Sequence, residues 1–168
     1  VYINQFISAS LKTVIRETEV RLELQSDLMH SGSIRLDIDS NKAQPFTIRI
    51  RVPDYWEEPV FVLGGKTIAP VIENGYAVVA VSYAGKQTLT VSGRLTPRWA
   101  AASDHVRADA GQVALLYGPY VYCLEQTDNG AELPSLFVAP DTRVQAGAPV
   151  EGLPGHMPTL HFEGMRLS

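Results

Sequence analysis

Ile34-Arg35-Leu36-Asp37-Ile38-Asp39 alternates apolar and charged residues without a break. On a strand, successive side chains point to opposite faces, so this run has one buried face and one wet face. The same period of two runs through Val20-Arg21-Leu22-Glu23-Leu24-Gln25 and through Phe46-Thr47-Ile48-Arg49-Ile50-Arg51-Val52. Antiparallel sheets with one packed side carry this pattern. Further strands are expected at Val60–Leu63, Tyr76–Val81, Thr88–Val91, Val113–Tyr117 and Tyr120–Glu125. Weaker ones are expected at Ser135–Val138 and Thr159–Phe162. Leu11 to Glu19 allows one or two helical turns, but Thr13-Val14-Ile15 favours a strand.

Turn signals separate these runs. They are Ser31-Gly32, Gly64-Gly65, Asn74-Gly75, Ala84-Gly85, Gly118-Pro119 and Asn129-Gly130. Gly64-Gly65 reads as a tight hairpin. Short strands with turns this close imply an all-β fold, an antiparallel β-sandwich. The expected core is Leu22, Leu24, Ile34, Leu36, Ile38, Phe46, Ile48, Ile50, Val78 and Leu89. Composition shifts toward Tyr, Gly and Pro after Ala110, which places a seam near Arg94 to Asp109. Gln126–Pro134 and Gly147–Pro158 read as loops.

At 168 residues the chain fits one sandwich and part of another. Its 45% hydrophobic content supports a core, and its net charge of -4 carries no basic stripe, so no nucleic-acid partner is expected. No apolar run reaches the ~20 residues of a membrane-spanning helix. No targeting signal is recognisable, and a soluble chain without a membrane partner is expected. The chain opens on Val1-Tyr2-Ile3 with no initiator Met, and it is expected to be a segment of a longer protein.

The candidate chemistry is thin. Ser103-Asp104-His105 are consecutive, whereas a nucleophilic triad needs members brought together from separate positions. Glu57 and Glu58 are adjacent, so they cannot flank a glycosidic bond. They read as a solvated turn. Tyr55, Trp56 and Trp99 are the aromatics that could stack on a sugar; burial or a domain contact is the commoner fate of such rings. His30, His105, His156 and His161 lack metal-ligand spacing. Asp37 and Asp39 are expected to pair with Arg35, Arg49 and Arg51 across strands on a wet face. The single cysteine, Cys123, excludes an internal disulfide and a cysteine-cluster zinc site, and it reads as a buried thiol. No catalytic or metal site is expected in the chain.

Four stretches carry a resemblance. They are Val1–Ile7, Phe46–Pro53, Val106-Arg107-Ala108-Asp109-Ala110-Gly111-Gln112-Val113-Ala114-Leu115, and Gly118-Pro119-Tyr120-Val121-Tyr122-Cys123-Leu124-Glu125-Gln126-Thr127-Asp128-Asn129. Together they resemble the C-terminal β-sandwich region of glycoside hydrolase family 127, whose type activity is β-L-arabinofuranosidase. The resemblance implies a jelly-roll-like sandwich over residues 1–105 and the start of a second, incomplete β module over residues 106–168. It implies an upstream (α/α)6-barrel that holds the acid/base glutamate, the nucleophilic cysteine and any zinc. None of those motifs occurs here, so no cofactor is expected in this segment. The segment itself is then an accessory scaffold, not an enzyme, packed on the barrel through Tyr2, Phe6, Trp56 and Trp99, with a homodimer as a further expected partnership. The alternative is a carbohydrate-binding module that uses Tyr55, Trp56 and Trp99.

Overall fold

A computed structural model describes residues 1–103, 105–139, 141–149 and 157–167. The chain divides into two compact units, Val1–Leu95 and Thr96–Ser168.

The first unit is a β-sandwich. Its strands are β1 Tyr2–Ile3, β2 Ala9–Ile15, β3 Thr18–Asp27, β4 Ser33–Ser40 and β5 Phe46–Arg51. They continue as β6 Glu57–Leu63, β7 Lys66–Ile68, β8 Val71–Glu73, β9 Tyr76–Val81 and β10 Gly85–Arg94. A single helical turn, α1 Leu28–Ser31, joins β3 to β4. One sheet has four strands in the order β1-β5-β9-β8, and the other has six in the order β2-β3-β4-β10-β6-β7. The chain passes between sheets at β1–β2, β4–β5, β5–β6, β7–β8 and β9–β10, the alternation a jelly-roll-like path requires. All pairings are antiparallel except β1 with β5, which is parallel. That pairing departs from the purely antiparallel expectation. It arises because the chain lays its first residues along β5, with the Val1 carbonyl accepting from Arg49 N–H.

The alternating runs supply the core. Leu22, Leu24, Ile34, Leu36, Ile38 and Leu89 from the wide sheet meet Phe46, Ile48 and Ile50 from the narrow one. Each fully buried Ile or Leu contributes about 1.5–3 kcal/mol of transfer free energy. Val78 does not join them. Ala77, Val79 and Val81 face inward, and Val78 lies on the outer face of β9. Every residue of Tyr76–Val81 but one is apolar, so the run itself does not mark which parity is inside.

Turn chemistry fixes the register. Gly64 and Gly65 close β6 onto β7 with φ of 55° and 78°, and Asn74-Gly75 closes β8 onto β9 with φ of 50° and 80°. These are the conformations of the two-residue turns that match strand twist. The β2–β3 hairpin uses the same conformation without glycine. Arg16 and Glu17 sit at φ 45° and 64° between the paired Ile15 and Thr18. Left-handed backbone costs a side-chain-bearing residue about 1–2 kcal/mol. Replacing the pair by Asn-Gly (R16N/E17G) is expected to raise the unfolding free energy by about 1–2 kcal/mol. A urea midpoint that fails to rise would count against this reading.

The second unit contains β11 Pro97–Ala101, β12 Val113–Tyr117 and β13 Tyr120–Tyr122 as a three-stranded antiparallel sheet. After a helical turn, α2 Gln126–Asn129, come β14 Leu136–Phe137, β15 Gln145–Pro149, β16 Pro158–His161 and β17 Met165–Arg166. β14 pairs with β17, and β15 with β16. The division at 95/96 lies within the seam expected near Arg94 to Asp109, at its start and ahead of the module boundary expected at residue 105. The reason is β11, whose register with β12 (Pro97 opposite Tyr117, Ala101 opposite Val113) ties residues 97–101 to the second unit. The strand expected over Tyr120–Glu125 ends at Tyr122. Cys123 lies beyond it and is exposed, which corrects the expectation of a buried thiol.

Candidate functional site

Both outer faces of the sandwich are built by the residues that alternate with the core. On the six-stranded sheet those of β3, β4 and β10 are mostly charged or hydroxyl-bearing, while β6 adds Val60 and Val62 at one side. Arg21 of β3, Asp39 of β4 and Lys86 of β10 stand side by side in one row across the strands. Glu23, Asp37 and Thr88 form the next row, and Gln25, Arg35 and Thr90 the one after. Rows lie about 7 Å apart along the strands and strands about 4.8 Å apart.

Asp37 is the organised centre of this face. Arg35 Nε and Nη2 donate to its two carboxylate oxygens at 3.1 and 2.8 Å, and Thr88 Oγ1 donates to it at 2.6 Å. The Arg35 hydrogen bonds, then that from Thr88, hold the Asp37 carboxyl below the usual carboxylate range. A depressed folded pKa gives stability that is present above the unfolded pKa and lost as pH falls through the folded one. The pair is exposed, so screening limits the term to about 0–1 kcal/mol. Asp37→Asn is therefore expected to lower the melting temperature slightly at pH 7 and not at pH 2–3. A deficit that persists at the acid end would contradict this.

The expected partners of the aspartates are only partly right. Arg49 and Arg51 belong to β5 in the other sheet. Arg49 reaches Glu73 at 2.8 Å instead. Arg35 is the true partner, from two residues along the same strand. Alternation puts residues i and i+2 on one face, and the sheet change at Asn41–Pro45 takes Arg49 away.

The outer face of the four-stranded sheet has a different character. Tyr2, Arg49, Val78 and Val71 stand in one row, with Arg51, Tyr76 and Glu73 in the next. Tyr2 and Val71 are 60% and 66% exposed. Tyr2 meets Tyr76 edge-on at 5.3 Å, and the Arg49 guanidinium lies 5.9 Å from the Tyr2 ring centre. Tyr76 donates to Asn4 Oδ1 at 3.0 Å.

The aromatics expected to bind sugar or a neighbouring domain fall elsewhere. Trp56 is only 5% exposed and belongs to the core, stacked on Phe6 at 5.1 Å. A ring buried on this scale offers no face to a sugar or to a second domain, which corrects both expectations for Trp56. Phe6, half-buried against it, is also largely committed within the unit. Tyr55 is half-buried and edge-on to Trp56, and burial pushes its phenol up. Trp99 belongs to the second unit. Its indole N–H donates to Thr142 O at 2.9 Å and its ring meets Phe162 at 5.1 Å.

Glu57 and Glu58 are not a solvated turn. They open β6, where Arg94 binds Glu57 at 2.7 Å and Glu58 at 3.7 Å. Asp104 of the Ser103-Asp104-His105 run and His156 lie outside the described residues. Among the described residues no group of three or more His, Cys, Asp or Glu could hold a metal ion. No described helix is long and apolar enough to cross a membrane.

The two units correspond to two family models. Residues 1–95 match the model described as β-L-arabinofuranosidase, glycoside hydrolase family 127 middle domain. The chain belongs to glycoside hydrolase family 127. Residues 97–158 match that family's C-terminal domain, so the family's own division and the division in the fold coincide at residues 95–97. A curated relative, the non-reducing end β-L-arabinofuranosidase of Bifidobacterium longum subsp. longum, is 33% identical over 86 residues. The match covers 50% of this chain and 13% of the relative. Two solved structures share the fold. One is a family 127 β-L-arabinofuranosidase from Geobacillus stearothermophilus T6, with a TM-score of 0.77 and 23% identity over 98% of this chain and 30% of that one. The other is a family 127 β-arabinofuranosidase, with a TM-score of 0.78 and 24% identity over 99% of this chain and 29% of that one. The chain thus spans under a third of the family 127 structures it matches, and their remaining length holds other parts of the protein.

Tyr83 is the site candidate that the sequence reading missed. It is 52% exposed and borders the charged face of the six-stranded sheet. The signal available was an aromatic immediately before the turn pair Ala84-Gly85.

Proposed function

We propose that this chain is the non-catalytic sandwich region of a hydrolase acting on β-L-arabinofuranosides, and that it packs on an upstream (α/α)6-barrel which carries the chemistry and any zinc. The membership in family 127 and the activity in the curated relative's name support the substrate class. The packing role rests on one observation, the contrast between the two outer faces. The four-stranded sheet presents the exposed Tyr2 and Val71 with Val78 and Tyr76, and two of its three charges, Arg49 and Glu73, neutralise each other, whereas β3, β4 and β10 of the six-stranded sheet present rows dominated by charge. Apolar area on one face of a domain marks the side that meets a partner. Tyr2 keeps its place as an interface residue in this reading; Trp56 loses it.

Hydrolysis of a chromogenic β-L-arabinofuranoside tests the reading. This chain and the same chain extended upstream to include the preceding domain are compared. Activity is expected only in the longer protein, and Tyr2→Asp there is expected to lower its melting temperature by several degrees. Turnover by the 168-residue chain alone would overturn the non-catalytic assignment. A longer protein that ignores arabinofuranosides would overturn the substrate class.

A further inference from the structure

The charged face of the six-stranded sheet is more than a solvated surface in one respect. It forms a groove, bordered by Tyr83 and by the Gly64-Gly65 turn, whose floor contains Arg21, Arg35 and Lys86 against Glu23, Asp37 and Asp39. Three positive and three negative groups cancel, so the groove selects neither a polyanion nor a cation. Six charged side chains line it, and an apolar helix or a lipid chain laid over them would bury those charges without hydrogen bonds in return. What it does present is a lattice of alternating donors and acceptors at strand spacing.

Part of that lattice is pre-ordered and part is uncommitted. Arg35, Asp37 and Thr88 hold one another, with Arg35 Nη2 also donating to Thr88 Oγ1 at 3.2 Å. Beside them, the Asp39 carboxylate stands in a row between Arg21 and Lys86. Among the described residues, neither Asp39 nor Lys86 takes part in an ion pair within 4.0 Å, although the Lys86 charge is near enough to Asp37 to help hold its carboxyl down. A sugar hydroxyl is both donor and acceptor. A vicinal diol can therefore give a proton to the Asp39 carboxylate and accept one from Lys86, at no net charge cost. Tyr83 adds the apolar element. A Cβ on Gly85 would stand 3.7 Å from Tyr83 Cε1, so the ring lies along the bare Gly85 backbone at the rim. A half-exposed ring there can cover the apolar face of a sugar ring.

We propose that this groove binds a neutral oligosaccharide, with Tyr83 as the stacking ring and Asp39 and Lys86 as the hydroxyl-reading pair. The choice of arabinose-containing chains as the probe rests on the hydrolase reading above; the groove's preference for an uncharged, hydroxyl-rich ligand does not.

Calorimetric titration of the 168-residue chain with neutral arabino-oligosaccharides is the test, with polygalacturonate as the charged comparison. Binding near a Kd of about 0.1–1 mM is expected. Tyr83→Ala should weaken it by about tenfold or more, and Asp39→Asn by a few-fold. Tyr2→Ala, on the opposite sheet, should leave it unchanged. Each variant's melting curve is recorded, and Tyr83→Phe, which keeps the ring, should retain binding. Absence of binding, indifference to both groove substitutions, or equal affinity for polygalacturonate would each overturn the proposal. Hydrolysis by the longer protein is read separately. A groove that fails while hydrolysis succeeds removes this site alone, and the reverse outcome removes the substrate assignment alone.

Discussion

Gly93→Ala is expected to cost the sandwich about 3–4 kcal/mol, more than most single-methyl changes. The added Cβ would fall within 2.7 Å of Trp56 Cβ and within 2.5 Å of its Cδ1. Trp56 cannot retreat, because Phe6 stacks on it and its own backbone N–H is held by Pro53 O at 3.2 Å. The backbone of Gly93 cannot retreat either. Its N–H donates to Gly32 O at 3.1 Å, and Gly32 sits there in left-handed conformation at φ 69°. Opposite Gly93 the β6 strand is bulged, since Ser92 pairs with Val60 but Arg94 pairs with Glu57. Glu58, at φ 49°, and Pro59 together face the one glycine. The bulge re-aims the strand and leaves room for an indole where a flat ladder would have none.

The cause can be separated from generic overpacking. Trp56→Ala alone should cost about 3–5 kcal/mol through lost burial and a cavity. In that background Gly93→Ala should be nearly neutral, because the atoms it would strike are gone. A coupling of about 3–4 kcal/mol between the two sites, the whole Gly93→Ala cost, is the expected result of the double-mutant cycle. Additive costs would show that the glycine is required for backbone reasons and not to seat the indole. Trp56→Phe is informative in the same series. The buried Trp56 Nε1 has no hydrogen-bond partner among the described residues. Replacing the indole by phenyl removes that unpaired donor, which offsets part of the lost contact area.

These interactions explain why some of the molecule is legible in the sequence and some is not. Runs such as Ile34 to Asp39 carry two independent signals, an apolar face and a charged one. They predict strand, parity and burial together, and each apolar residue of that run is about 1% exposed. The Tyr76–Val81 run carries one signal only. It announces a strand and leaves its inside undefined, so Val78 reads as core where Ala77 and Val79 belong. Trp56 fails for a third reason. Tryptophan at a loop edge reads as an anchor or a platform, and nothing local reveals that Gly93, far along the chain, leaves a hole of its shape. Short strands such as β8 and β11 have no run long enough to show a period. The groove is harder still. Its charged residues are visible one by one, but their rows exist only once β3, β4 and β10 are set side by side, and strand order is not written in any of the three. Family-level likeness is carried by longer stretches, notably Val106–Leu115 and Gly118–Asn129, which lie in the unit with the weaker periodicity.

Ile48→Ala and Val78→Ala should separate sharply, although the two residues share one sheet and both read as core from the sequence. Ile48 has no exposed surface and lies in the layer between the sheets. Its truncation removes buried carbons from a site that strands on both sides hold in place, so the space collapses poorly and about 3–4 kcal/mol is lost. Val78 stands on the outer face of β9, in the row with Tyr2 and Val71. Its truncation in this chain should cost under about 1 kcal/mol, most of it from strand propensity. Urea unfolding of the two variants provides the measurement, followed through a probe in residues 1–95. Equal losses would mean that the outer face of the four-stranded sheet is packed as a second core. The same pair measured in the longer protein tests the docking proposal directly. If an upstream domain covers Tyr2, Val71 and Val78, the Val78→Ala cost should rise toward that of a buried valine, while the Ile48→Ala cost stays where it was. An unchanged Val78 cost in the longer protein would leave that face solvent-exposed and move the interface to another part of the chain.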